Sequence, residues 1–338
     1  MSDLLASAAA ECRPYRTVDG GTMYPGRDDA QSLVRRLGLT NPAGYYRRIL
    51  GSLGDRERFD VRTMVEAAAA PVSDRVLVSI RHDMDTEPYS SVEAARALRA
   101  AGLRGSFYVL HTAEYYGRWR DGLFERCDAI APILREMQDE CGCEIGLHTD
   151  GLWVYQRWQA DGAQAIAAEL AWLRGAGLRI AGTAAHNSAP VYGAENFELF
   201  AGRSVRRACT APDGSGTPLQ VLDERGLGLE YEANAPELES DGLSRLEAWM
   251  RLDPADPVRD EQWMRTYLVE HPICRWGADY NFWLIGADRW AIGGHRLRNG
   301  AFAWDATLDD VVRFMAGLPR GARMVVHIHP LYIDFAAD

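Results

Sequence analysis

The sequence predicts an α/β fold in which a parallel sheet, covered by helices, curls into a βα barrel. Near-continuous apolar runs such as RVLVSIRHD alternate with amphipathic segments such as SSVEAARALRAAGL, at intervals of about 30 to 40 residues. Strands without polar alternation are typical of parallel sheets that are buried on both faces. The chain has 338 residues, a length that one barrel domain can take up.

The pattern gives strands and helices in regular alternation over the first half of this domain. Strands are predicted over 75–83, 104–111, 143–150 and 178–186. Helices are predicted over 90–103, 123–140 and 163–177. The later part gives strands over 227–233 and 282–287, helices over 239–253 and 307–318, and a last strand over 322–330.

Two domains are predicted. Residues 1–70 form an N-terminal helical extension with helices over 28–39, 43–53 and 61–70, which Pro71 ends. Residues 71–338 form the barrel domain, with a less regular segment at about 205–300. The extension is expected to serve as a cap or as an interface, and the pattern does not choose between them.

The composition of the chain disfavours several classes of function. A net charge of −11 disfavours binding to nucleic acid or to anionic lipid. No apolar run approaches the length of a membrane span, and the first residues lack the basic start and unbroken apolar run of a signal peptide. The six cysteines are then expected to be reduced thiols. We therefore expect a cytoplasmic protein that acts on a small molecule, while the oligomeric state stays open.

Histidines collect where the predicted strands end. Of the eight in the chain, six follow or close an apolar run, namely His82, His111, His148, His186, His327 and His329. In a βα barrel the carboxyl ends of the strands converge on the face that carries the active site. We therefore expect most of these imidazoles to meet in one site.

Carboxylates join them at the end of the first barrel strand. Side chains alternate along a strand, so Arg81, Asp83 and Asp85 share one side, whereas His82 points to the other side and is expected to pack or to support. One carboxylate could bind a cation while the other takes a proton from water. Two imidazoles and one carboxylate with open coordination positions suit Zn²⁺ or a similar divalent ion.

Four segments in order, IRHDMDTEP, GSFYVL, EIGLHTD and VHIHP, resemble the polysaccharide deacetylase superfamily (carbohydrate esterase family four, NodB-like). RHDMD is similar to the branch whose first motif is Arg-His-Asp-Val-Asp. The resemblance covers roughly residues 72–190 and 320–331. It implies a distorted (β/α)7 barrel and a metal-dependent removal of acetyl groups from N-acetylated sugars.

The resemblance also implies roles for residues. Asp83 matches the catalytic base, Asp85 the metal-binding carboxylate and His148 the first metal-binding imidazole. His329, or alternatively His327, matches the catalytic histidine that protonates the leaving amine. The ion is expected to be zinc, with nickel, cobalt, manganese or iron as alternatives.

Two departures from the family pattern need replacements. The second metal-binding histidine would stand at Leu152, so His186 is the candidate to complete the ligand set and Asp150 the alternative. The arginine that orients the base would stand at Ser188, so Arg81 is the candidate for that task. His111, Asp150, Tyr192 and His327 are further candidates for binding substrate or supporting the site.

Three functions follow as hypotheses. The first is hydrolysis of an acyl amide on an N-acylated amino sugar or glycoside, in a biosynthetic pathway. The second is a metal-dependent hydrolase, lyase or isomerase that acts on a non-sugar substrate. The third is a degenerate domain that only binds. The aromatic residues around Trp276–Trp290 could stack on sugar rings, although core packing is the preferred interpretation.

Overall fold

The computed structural model describes residues 37–71, 73–120, 123–186, 196–201, 222–233, 279–293 and 306–336. They are organised by a sheet of nine strands, β2 (Phe59–Arg62), β3 (Val76–Met84), β4 (Ser106–Leu110), β7 (Glu144–Thr149), β8 (Gly182–Ala185), β9 (Tyr231–Glu232), β10 (Tyr280–Gly286), β11 (Arg289–Gly293) and β12 (Arg323–Ile328). The strand order is β11-β10-β12-β3-β4-β7-β8-β9, and β2 pairs with β3 outside that path.

The sheet is parallel except at one edge. Every described pairing from β10 to β9 is parallel, and only β11 runs antiparallel, beside β10. The α/β class predicted from the sequence is confirmed. Among the described residues the sheet is curled and open, because no ladder joins β9 to β11.

β3 lies in the middle of the sheet with strands paired on both sides, and all nine of its residues are buried. β12 flanks it on one side, with His327 in register with Arg81. On the other side β2 pairs with its first half and β4 with its second half. Apart from Ser79, the first five residues of β3 are apolar, and its charged residue types and its histidine, Arg81, His82 and Asp83, stand near the carboxyl end.

Seven α-helices accompany the sheet in the described part of the chain. They are α1 (Ala43–Ser52), α2 (Met64–Ala69), α3 (Tyr89–Ala100), α4 (Ile130–Arg135), α5 (Gly151–Trp153), α6 (Gly162–Gly175) and α7 (Leu308–Gly317). Local sequence fixes several starts: Thr63 and Thr307 form capping boxes on α2 and α7, and the Asp161 carboxylate accepts from two backbone N–H groups of α6. None of the described helices combines the length and apolarity needed to cross a bilayer.

Smaller elements depart from the predicted pattern. Residues 123–140 were expected to form one helix, but Leu123–Arg126 (β6) instead pairs antiparallel with Gly117–Arg120 (β5), and the helical part follows at α4 and a π-helical turn over Glu136–Glu140. The prediction was wrong because apolar residues keep a helical spacing through the hairpin strand as well as through the helix that follows. Likewise Phe59–Arg62 is a strand of the main sheet, not the start of a helix.

The N-terminal segment is therefore joined to the barrel-like sheet where the structure describes it. Besides β2, a two-residue strand, β1 (Asn41–Pro42), pairs in parallel with β13 (Ile333–Asp334) near the chain's end. The helix predicted over 28–39 lies almost entirely outside the described residues, and the one predicted over 239–253 lies wholly outside them. Three cysteines are described, Cys127, Cys141 and Cys143, and all three are buried.

Two glycines make room for tyrosine rings inside the curled sheet. A Cβ on Gly146 would come within 2.6 Å of the Tyr108 ring, and one on Gly182 within 2.0 Å of the Tyr231 ring. The two hydroxyls share a 2.6 Å hydrogen bond, and Tyr231 also donates to the buried Glu144 carboxylate at 2.6 Å. Both rings are buried and belong to the same cluster of core residues.

Candidate metal centre

The strand order brings polar side chains to one edge of the sheet. Because β3, β7, β8 and β12 are parallel, their carboxyl ends face the same way. Six of the residues singled out from the sequence meet there: Asp83, Asp85, His148, His186, His327 and His329. The prediction that strand-end imidazoles and carboxylates converge is confirmed for these residues.

Asp85, His148 and His186 each offer one ligand atom, and these atoms lie within 4.8 Å of one another. The His148 ring is oriented by a 2.7 Å hydrogen bond between its Nδ1 and the Ala184 carbonyl. A carbonyl only accepts, so Nδ1 carries the hydrogen and a neutral ring presents a lone pair at Nε2. That lone pair faces the Asp85 carboxylate.

The contact between these two groups needs a positive charge. His148 Nε2 lies 3.3 Å from Asp85 Oδ1, a buried oxygen that has no hydrogen-bond partner among the described residues. Two lone pairs that face each other at this distance repel unless a cation or a proton lies between them. An oxygen–nitrogen donor set of one carboxylate and two imidazoles fits zinc and other divalent transition ions.

His186 is held by a second group of residues. Its Nδ1 lies 3.4 Å from Asp150 Oδ2, which also accepts from the Thr112 hydroxyl at 2.7 Å. The other Asp150 oxygen accepts from the Asn196 amide at 3.0 Å. Burial lowers the pKa of His186, but the Asp150 carboxylate outweighs it and raises the pKa to about 9. Asp150 thus lies behind His186, in the position of a carboxylate that orients a ligand.

His111 contacts the backbone of Asp150, the residue that holds His186. It is buried, and its Nε2 accepts from the Asp150 backbone N–H at 2.8 Å. Burial lowers the pKa of His111 to about 4, so the ring is neutral at physiological pH. The structure gives His111 a contact that positions the Asp150 backbone.

Asp83 is held differently from Asp85. The Arg81 guanidinium donates from Nε to Asp83 Oδ1 at 2.7 Å and from a terminal nitrogen to Oδ2 at 2.6 Å. His327 Nε2 lies 2.9 Å from Oδ2. Burial alone would raise the pKa of Asp83, but Arg81, followed by His327 and His148, holds it well below its usual value. Arg81 occupies the place foreseen for a residue that orients this carboxylate.

His327 in β12 and His329 just after it have different surroundings. Burial, the largest effect, lowers the pKa of His327 to about 3, so that ring is neutral. His329 is less enclosed and its Nε2 lies 3.1 Å from Asp85 Oδ2. On its other side the Trp283 indole N–H donates to His329 Nδ1 at 3.3 Å. Of the two, His329 is the ring that reaches the candidate ligands.

His82 points away from this group, as alternation along the strand predicts. Its Nε2 lies 2.9 Å from the Tyr46 hydroxyl and its ring stacks on Phe107 with centroids 4.2 Å apart. It therefore joins β3 to α1 on the outer face of the sheet. Tyr192 lies outside the described residues, and so does Ser188.

Sequence reasoning missed three contributors to the site. Asn196 accepts from the Leu152 backbone N–H at 2.9 Å and donates to the His186 carbonyl at 2.9 Å, so it links three parts of the site. Thr112 follows a predicted strand end, and that position was its available signal. Trp283 stood in an aromatic run in which core packing was preferred, and no local pattern separates it from its neighbours.

The fold and this site define an α/β protein with a candidate metal centre at its strand ends. No family model matches the sequence, and neither a curated protein nor a solved structure matches the chain.

Proposed function

We propose that this chain is a metal-dependent hydrolase that removes an acetyl or related acyl group from an amino group of a sugar-like small molecule. The observation that carries the proposal is the buried Asp85 Oδ1, which faces the His148 lone pair at 3.3 Å without a hydrogen-bond partner among the described residues. We further propose that Asp85, His148 and His186 hold one zinc ion. The curled sheet is then the wall of a distorted (β/α)7 barrel.

An ion bound by these three residues would act as a Lewis acid that polarises an amide carbonyl and makes water more acidic. The protein groups around it supply the remaining chemistry. Asp83 is ionised and fixed by Arg81, so one carboxylate is ready to accept the proton of an attacking water. His329 follows β12, the strand beside β3, and its Nε2 lies 3.1 Å from Asp85 Oδ2, next to the proposed ion. Together these groups form the acid–base pair that amide hydrolysis requires.

The resemblance of the four strand-end segments to polysaccharide deacetylases supports an N-acylated amino sugar or glycoside as the substrate. A non-sugar substrate on the same centre is the second candidate. It is favoured by the position that departs from that family, since Leu152 is buried in the core and the second imidazole comes from His186 instead. Profiling of consumed metabolites separates the two candidates.

The test combines metal content with turnover. Purified chain reconstituted with zinc is assayed for acetate release from N-acetyl amino sugars, with and without a chelator, beside Asp85→Asn and His148→Ala. We expect both variants to lose zinc and activity. Asp128→Asn, at an exposed acid away from the site, is the control that retains both. Equal acetate release with and without chelator, or full zinc content in Asp85→Asn, would exclude this mechanism.

A further inference from the structure

The Tyr115 hydroxyl lies between the carboxyl ends of β3 and β4. It donates a hydrogen bond of 2.5 Å to the Met84 carbonyl and accepts one of 3.0 Å from the Leu110 N–H. Met84 is the last residue of β3, and Leu110 is the last residue of β4. The pairing of these strands stops at Met84 and Val109, so this one hydroxyl joins both strands at the point where their pairing ends.

The hydrogen bond to Met84 determines the direction of the chain at Asp85. A peptide unit is planar, so the Met84 carbonyl and the Asp85 Cα atom lie in one plane. Holding the Met84 oxygen therefore fixes the position from which the Asp85 side chain starts. Asp85 depends on such a backbone anchor, because Arg81 binds both oxygens of Asp83, whereas Asp85 Oδ1 is buried and has no hydrogen-bond partner among the described residues.

The hydrogen bond from Leu110 leads to another part of the ligand set. His111 follows Leu110, and its Nε2 accepts from the Asp150 backbone N–H at 2.8 Å. The Asp150 carboxylate in turn lies 3.4 Å from His186 Nδ1. A shift of β4 against β3 would therefore move the support of His186 relative to the other ligands.

We propose that Tyr115 is a positioning residue that sets the distance between the Asp85 carboxylate and the imidazoles of His148 and His186. The inference rests on the proposed function, because it takes these three residues to be the ligands of one ion. A metal is bound tightly when its ligand atoms are already in place, and Asp85 Oδ1 lies 3.3 Å from His148 Nε2. Loss of the Tyr115 hydroxyl frees the peptide that precedes Asp85 and weakens that arrangement.

The next residue provides a matched comparison. Tyr115 and Tyr116 are both 0% exposed, and the Tyr116 hydroxyl donates to the Glu169 carboxylate at 2.7 Å. Glu169 also accepts two hydrogen bonds from Arg126, so its charge keeps a partner when the Tyr116 hydroxyl is removed. Replacing either tyrosine with phenylalanine removes one buried hydroxyl and leaves the ring. Of these two hydroxyls, that of Tyr115 is the one bonded to β3.

The experiment measures metal affinity and ligand geometry in the purified full chain. Zinc affinity is taken from competition with a chelator for the wild type, Tyr115→Phe and Tyr116→Phe, and urea unfolding records the stability of each metal-free protein. We expect Tyr115→Phe to bind zinc about tenfold more weakly and Tyr116→Phe to bind it as tightly as the wild type. With Co²⁺ in place of zinc, the visible absorption bands, which depend on the arrangement of the ligands, should shift only in Tyr115→Phe.

The outcomes separate this inference from the proposed function. Equal zinc affinity in the wild type and Tyr115→Phe, or an equal loss of affinity in both variants, would overturn the positioning role and leave the ligand assignment standing. A loss of stability in Tyr115→Phe without a change in zinc affinity would also overturn it, because the hydroxyl would then serve the fold alone. A wild type that binds no divalent ion would overturn the ligand assignment and the positioning role together.

A measurement on the wild type covers the case in which Tyr115→Phe does not fold. Coupling between two events is reciprocal, so if the hydroxyl contact strengthens zinc binding, zinc must strengthen the contact. Hydrogen exchange followed by NMR should then slow at the Leu110 amide when zinc is added. It should slow by more than at the Cys127 amide, which donates to the Tyr116 carbonyl at 2.8 Å. Equal slowing of the two amides would overturn the inference.

Discussion

Replacing Arg81 with Met should strongly destabilise the protein, because it leaves the Asp83 charge buried without its main partner. The side chains of Arg81 and Asp83 are only 2% and 3% exposed, and two hydrogen bonds of 2.6 and 2.7 Å join them. Removing one partner of a buried ion pair costs about 3–5 kcal/mol, since the remaining charge keeps its desolvation penalty. We expect a loss in that range for Arg81→Met.

The assay is urea unfolding followed by circular dichroism, with a chelator present so that bound metal adds nothing. Asp83→Asn and the double variant complete a thermodynamic cycle. Because Asp83→Asn removes the charge that Arg81 neutralises, the double variant should lose less than the sum of the singles, by about 1–3 kcal/mol. Arg179→Met, in an exposed pair with Asp139, is the control and should leave the unfolding free energy unchanged within error. Additive single effects would refute the coupling, and a loss under about 1 kcal/mol for Arg81→Met would refute the buried-charge argument.

Three further predictions concern protonation, the metal and packing. Burial lowers the pKa of His82 from 6.5 to about 3, so between these pH values the unfolded chain binds more protons than the folded chain and the free energy of unfolding falls as the pH falls below 6.5. At pH 5 the loss amounts to about 2 kcal/mol. His82→Gln should remove that part of the pH dependence measured by urea unfolding. Asp150→Asn should weaken zinc affinity about 10- to 100-fold in a chelator competition, and unchanged affinity would show that Asp150 does not orient His186. Gly182→Ala should lower the free energy of unfolding by about 1–3 kcal/mol because its Cβ would overlap the Tyr231 ring. Gly175→Ala in α6, where a Cβ meets open space, is the control and should not destabilise the protein. Equal unfolding midpoints for the two variants would contradict this packing argument.

The sequence correctly placed those site residues whose position depends only on the direction of their strands. Asp85, His148 and His186 belong to different strands, each at or one residue beyond the carboxyl end, and parallel pairing brings such ends together whatever the conformation of the loops. Alternation along one strand also separated His82 from Asp83 correctly. Both inferences need only the strand period and the direction of the sheet.

The strand period and the direction of the sheet could not predict contacts between residues that are far apart in the chain. Nothing local marks Asn196 as the partner of Asp150, because it follows a segment of irregular sequence and meets the site only through folding. The hairpin over Gly117–Arg126 was hidden because residues 123–140 keep a helical spacing of apolar residues through the second strand. Short strands give too few residues for their period to outweigh that of a following helix.

The two neighbouring aspartates show how one residue decides the chemistry of this site. Asp83 and Asp85 are both ionised, stand two residues apart, and lie 3.4 and 3.3 Å from the same His148 nitrogen. Arg81 binds both oxygens of Asp83, but Asp85 Oδ1 has no hydrogen-bond partner in the described part of the chain. The Arg81 guanidinium therefore neutralises Asp83, whereas Asp85 faces the imidazoles of His148 and His329 and belongs to a group of residues that could hold a metal ion. This difference, more than the number of histidines, is why we propose a single ion at Asp85 and proton transfer at Asp83.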